Sequence, residues 1–160
     1  MTQPLIKVRP SNLSFFLFAI GLNFCALLLF ATNALAQSSL QNPPGILMAA
    51  TDQGVRYLTG GIGSEEREAM ETLGTKFNLK LIFAELSGDY IAGVAAILSD
   101  QHGKELGTII TNGPWLYVQL SPGTYRVRAT LDGVTQEIAK LRIREHGQVV
   151  RFMHWDLDEE

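Results

Sequence analysis

From residue 78 onward the chain alternates between apolar and polar positions with a period of two, the pattern of half-buried strands. In NLKLIFA (78–84), Leu79, Leu81 and Phe83 share one face. In IAGVAAIL (91–98), Val94, Ala96 and Leu98 do so, and in LYVQL (116–120), Leu116, Val118 and Leu120. TYRVRATL (124–131) alternates most cleanly, with Tyr125, Val127, Ala129 and Leu131 inward and Arg126, Arg128 and Thr130 outward. Further strands are predicted at 105–111, 134–143 and 148–154. Turn signals separate them at Ser99–Gly103, Asn112–Pro114, Ser121–Gly123, Asp132–Gly133 and His146–Gly147. Within 134–143 the apolar parity shifts from Val134 and Ile138 to Leu141 and Ile143, which predicts a β-bulge near Ile138–Ala139. The expected fold is mainly β: a seven-stranded antiparallel sandwich of the immunoglobulin or prealbumin type with one short N-terminal helix.

That helix is predicted over 65–74. Ser64 is a good N-cap residue, Glu65, Glu66 and Glu68 crowd the first turn, and Gly74 suits the C-terminal cap. Met70, Leu73 and Phe77 form a narrow apolar stripe. Ahead of it, residues 45–58 read as two short extended pieces on either side of Asp52-Gln53-Gly54, and 37–44 as a polar leader ending in two prolines.

The N-terminus has the three parts of a secretory signal peptide: Lys7 and Arg9, an apolar run from Leu13 to Ala31, and Ala34-Leu35-Ala36 before Gln37. Cleavage after Ala36 leaves 124 of the 160 residues, one domain's length. The alternative is an uncleaved anchor, since the apolar run approaches spanning length. The expected location is periplasmic or secreted, with membrane attachment only in the uncleaved case. The single cysteine, Cys25, lies in the apolar run, so the rest of the chain needs no disulfide framework. Of the 13 Lys and Arg residues, Lys7 and Arg9 precede the cleavage point, which leaves 11 against 16 acidic residues and a net charge of −5. That balance argues against nucleic acid and anionic lipid as partners.

TGGIGSEEREAM (59–70) has the look of a phosphate-binding loop, but Glu66 stands where a dinucleotide motif needs its third glycine, and no Lys-Ser/Thr pair follows as in a P-loop. Three carboxylates in the first turn would repel a phosphate. The glycines instead turn the chain sharply into a helix. His102 and Glu105 have a zinc-ligand spacing but sit in a polar turn, and His146 and His154 lie far along the chain. The methionines form no copper-type cluster and no serine sits in G-x-S-x-G. The tail, 156–160, reads as a solvated acidic terminus. No catalytic, cofactor or metal site is expected.

The apolar residues left over are informative. With Leu116 and Val118 facing the core, Trp115 and Tyr117 face the other way, as does Ile97 in its own strand. Trp115, Tyr117 and Ile97, together with the helix carboxylates Glu65, Glu66 and Glu68, are therefore the candidate interaction surface. The competing expectation is a clasp, in which the helix lays Met70 and Leu73 over that apolar face.

LSPGTYRV (120–127) resembles the L-x-P-G-x-Y-x-V signature of carboxypeptidase regulatory-like domains, which share a transthyretin-like sandwich. The chain is also similar to small secreted proteobacterial proteins of that kind through Tyr57–Arg67, Asn78–Phe83, Gly113–Trp115, Leu120–Tyr125 and Phe152–Trp155. It departs from them at Gly93 and His154. The resemblance implies an accessory, non-catalytic module, since the peptidase zinc ligands belong to a different domain. Hydroxyisourate hydrolases share the fold, but their C-terminal Y-R-G-S is replaced here by HWDLDEE. The isopeptide chemistry of pilin-type sandwiches needs an Asn that GQVVRFMHW lacks. The expected function is binding of a protein or an envelope polymer. The alternative is a transthyretin-like hydrolase, which would gather at least two of His102, His146, His154, Arg126, Arg128 and Glu105 in one deep pocket.

Overall fold

The computed structural model describes residues 44–157. The signal segment, most of the leader and the last three residues of the acidic tail lie outside the described residues. The elements are β1 (Leu47–Ala50), β2 (Arg56–Gly60), α1 (Ser64–Gly74), β3 (Leu79–Glu85), β4 (Ala95–Asp100), β5 (Glu105–Ile110), β6 (Trp115–Val118), β7 (Gly123–Leu131), β8 (Val134–Ile143) and β9 (Val149–Trp155). They form two sheets, ordered β1-β2-β6-β3-β9 and β5-β4-β7-β8. The fold is a mainly β sandwich with one helix, but with nine strands rather than seven.

The two additional strands come from the segment before the helix. Thr51 N donates to Val55 O (2.9 Å) and Gly54 N to Thr51 O (2.8 Å), which closes β1 and β2 into a hairpin around the Asp52–Gly54 turn. β2 then pairs with β6. The sandwich is also not purely antiparallel, because β3 and β9 run parallel from Leu79↔Val149 to Glu85↔Trp155. The predicted strand at 91–98 starts later, at Ala95. Ile91 and Val94 still reach the core, but the backbone between them is irregular: Gly93 has φ +76° and Val94 N donates to the Thr111 hydroxyl.

The period-two faces pack as the alternation requires. Leu79, Leu81, Phe83, Val94, Ala96, Leu98, Leu116, Val118, Val127 and Ala129 are all buried between the sheets. The bulge falls where the parity shifted. Tyr125 pairs with Leu141 and Val127 with Ile138, so Ala139 and Lys140 together oppose Arg126. Tyr125 Oη donates to Ser121 O (2.8 Å), tying the strand back to the Pro122-Gly123 turn.

Hydrogen bonds close both sides of the sandwich. At one, Thr51 Oγ1 donates to Leu106 O of the opposite sheet (2.7 Å). At the other, Trp155, fully buried, donates its indole Nε1–H to Val134 O (3.0 Å), joining β9 to β8. A second apolar layer lies outside the first sheet. There Met70, with Ala69 and Leu73 partly buried, packs on Ile46, Leu58, Phe77, Ile82, Trp115 and Tyr117.

Candidate functional site

The helix and its glycine loop are held by their own side chains. The N-cap is Gly63, not Ser64, and no side chain bonds there in the usual capping geometry. Instead the Glu66 carboxylate reaches back, and its Oε2 accepts from Gly61 N and Ile62 N, both at 3.1 Å. The Arg67 guanidinium donates to the carbonyls of the same two residues, at 3.0 and 2.7 Å. Gly61 has φ +92°, a conformation costly for any other residue. The amides that a phosphate would use are therefore taken by a carboxylate of the chain itself. The surface cleft beside the helix start is walled by Glu65 and Glu66, so it repels anions.

This geometry divides the candidate interaction surface. Trp115 and Tyr117 are 5% and 2% exposed beneath α1, so they are not available to a partner; the clasp is what covers them. Ile97 does not belong to that face. It lies half-buried in the second sheet, opposite Thr108 and Arg128, because β4 and β6 fall in different sheets. Glu65 and Glu68 are exposed on the helix, while Glu66 is partly buried in its loop contact. Gly74 does not end the helix as a cap; that place belongs to Thr75. It is buried against the Tyr117 ring, where any β-carbon would overlap the aromatic carbons.

Lys80 completes this layer. It is 9% exposed, with Nζ 3.3 Å from the Trp115 ring centroid and 5.1 Å from that of Tyr117. Burial lowers its pKa and the Glu71 carboxylate partly opposes the shift. The cation–π contact keeps a positive charge on a largely covered face. The Tyr117 phenol is pushed up to about 12, first by burial and then by Glu71.

The titratable residues of the hydrolase alternative are not gathered. One surface cleft is lined by Arg126, with Asp100 and Tyr125, and another by His146. Neither of these, nor two further clefts, holds two of the six residues. His102 sits in the β4–β5 turn, where the Asp100 carboxylate accepts from His102 N (2.8 Å) and Lys104 N (2.9 Å). Those backbone bonds, chiefly the one from Lys104, lower the Asp100 pKa. Among the described residues, no group of three His, Cys, Asp or Glu side chains could hold a metal ion, and no helix is long and apolar enough to cross a membrane. Comparison with protein-family models and with curated proteins gives no match.

Two features of the surface escaped the sequence reading. Edge strand β9 exposes Val150 (41%) and Phe152 (56%), and the Phe152 ring stacks on His154 at 5.9 Å with 11° between planes. Beside it, Arg142, Arg144, His146 and Arg151 line one cleft. The signal for the second was present in RIREHGQVVR (142–151), where three arginines flank a His-Gly turn.

Proposed function

We propose that the chain is an exported, non-catalytic binding module of the periplasm or extracellular space. Its sandwich is of the prealbumin-like, carboxypeptidase regulatory-like kind, and its partner is a protein or an envelope polymer. The signal-like N-terminus and the LSPGTYRV motif support export and kinship respectively. The observation that carries the binding role is the uncovered side of β9. The inner core is buried between the sheets and the layer under α1 extends across the outer face as far as Ile82 of β3, yet Phe152, Val150 and His154 stay in solvent on the next strand, at the sheet edge. An exposed aromatic row on a strand edge is a recurring recognition surface.

The test has two parts. Fractionation with N-terminal sequencing should find a soluble protein beginning at Gln37; retention of residues 1–36 in the membrane fraction would replace export with anchoring. A photo-crosslinking residue in place of Phe152, expressed in the native host, should give discrete adducts that the same residue in place of Gln53 does not. Identical adduct patterns at the two positions would remove β9 as the recognition surface.

A further inference from the structure

The end of β8, the connection to β9 and the start of β9 converge on one cleft of about 320 Å³, lined by Arg142, Arg144, His146 and Arg151. Arg142 and Arg144 also border a neighbouring cleft of about 410 Å³ with Thr124. All three guanidinium-bearing residues are exposed. Among the described residues the one ion pair is Arg126 with Glu137 (3.3 Å), so none of these three has a described carboxylate within pairing distance. Arg151 Nη1 donates to Val150 O (2.8 Å), which orients it along the strand while leaving most of its donors unused. Glu145, the nearest acidic residue in sequence, lines the neighbouring cleft and not this one.

Such a cluster is at odds with the rest of the molecule. The chain carries a net charge of −3, and Glu65, Glu66, Glu68 and Glu71 all belong to α1 on the outer face of the first sheet. Like charges held together repel, and opposite charges were available in the composition to pair with them. An unpaired arginine group persists at no loss where an anion neutralises it. Arg142 and Arg144 are two positions apart, so their backbones lie about 7 Å from each other along an extended chain. A guanidinium accepts one oxyanion in a planar, bidentate fashion. A single small anion can satisfy one such fork; a chain with charged groups at a similar interval can satisfy two or three.

We propose that this cleft is an oxyanion-binding site for a polymer carrying repeated phosphate or carboxylate groups. The proposal rests on the binding-module reading and names the chemistry of the partner. Linked charges engage the second and third arginines at high effective concentration, so a polyanion binds far more tightly than its monomer.

The experiment uses the protein as its host processes it, titrated by calorimetry with linear polyphosphate, with a polyuronate and with inorganic phosphate. Polymer binding should exceed that of inorganic phosphate and weaken as salt is raised. The preferred polymer identifies the charged group. The triple variant Arg142→Gln, Arg144→Gln, Arg151→Gln should bind at least about tenfold more weakly, as expected for loss of charge-assisted hydrogen bonds. A control with the same loss of charge elsewhere, Lys76→Gln, Lys104→Gln, Arg128→Gln, should stay within about twofold, since it removes only long-range attraction. If the first triple variant loses its cooperative melt, the three single variants carry the test, each weakening binding about threefold or more. Equal losses in the two triple variants, or no polymer binding by the wild type, would overturn the site. Absent polyanion binding with intact adducts at position 152 would overturn this site alone and leave the binding module standing.

Discussion

Met70→Ala tests whether α1 is a structural clasp. Met70 is fully buried, between the helix and the sheet face formed by Leu58, Ile82, Trp115 and Tyr117. Truncating a buried Met to Ala costs about 2–5 kcal/mol, and the value depends on how far the surroundings collapse into the space. Here one wall is a single helix with its other side in solvent, which can settle inward, so the lower part of that range, about 2–3 kcal/mol, is expected. For a domain of this size that corresponds to a melting temperature lower by roughly 8–15 °C. Glu68→Ala, on the exposed side of the same helix, should change stability by no more than about 0.5 kcal/mol. Urea denaturation gives the energies, and acrylamide quenching gives the location. Trp115 lies under the helix while Trp155 lies in the inner core, so only one of the two indoles should become more accessible in Met70→Ala. A variant that melts like Glu68→Ala, with unchanged quenching, would mean that the helix does not hold that face. A point substitution is the right tool, because deleting residues 45–74 would also remove β1 and β2 from the sheet.

Two other outcomes follow from the packing and the charges. Tyr125→Ala should cost on the order of 3–5 kcal/mol, and Tyr125→Phe, which loses only the bond to Ser121 O, about 1 kcal/mol. His102→Ala should be nearly silent, and equal melting temperatures for Tyr125→Ala and His102→Ala would contradict the inward facing of β7. The Tyr117 phenol, raised to about 12 when folded, stabilises fully below its unfolded value near 10. That contribution is lost as pH rises through 12, so the wild-type urea midpoint should fall relative to Tyr117→Phe between pH 10 and 12. Parallel midpoint curves would show that Tyr117 is not buried as described. Lys80 is present in both proteins and enters the difference only through its contact with the ring at position 117.

The strands that could be read in advance were those whose side chains separate into a buried and an exposed face. β7 is the clearest, and even its partner's bulge was visible as a change of parity, since an extra residue reverses the face of everything after it. β1 and β2 were harder. They are four and five residues long and carry no clean alternation, because β2 is covered on both faces near its end, with Leu58 under the helix and Thr59 between the sheets. The parallel pairing of β3 with β9 joins segments some seventy residues apart, and no local pattern encodes which strands become neighbours. That same ambiguity misplaced Ile97. Its outward parity was correct, but parity does not say which sheet a strand joins.

The charged residues show a related limit, and it concerns function more directly. In the sequence, TGGIGSEEREAM has the look of a phosphate loop, but its failed motifs and its three carboxylates already argue against an anion there, and Arg142 and Arg144 carry no local motif that singles them out. Glu66 folds back onto the Gly61 and Ile62 amides, so the glycine loop is satisfied from within and its helix terminus is walled by carboxylates. The arginines acquire significance only when the chain crosses from the second sheet to the first and brings Arg151 beside them. A loop motif advertises donors in the sequence, but whether they remain free is decided by the nearest side chain of opposite charge. For the loop that side chain lies five residues away and is part of the same turn. For the arginines no described carboxylate lies within pairing distance, and the positive charge is left facing solvent.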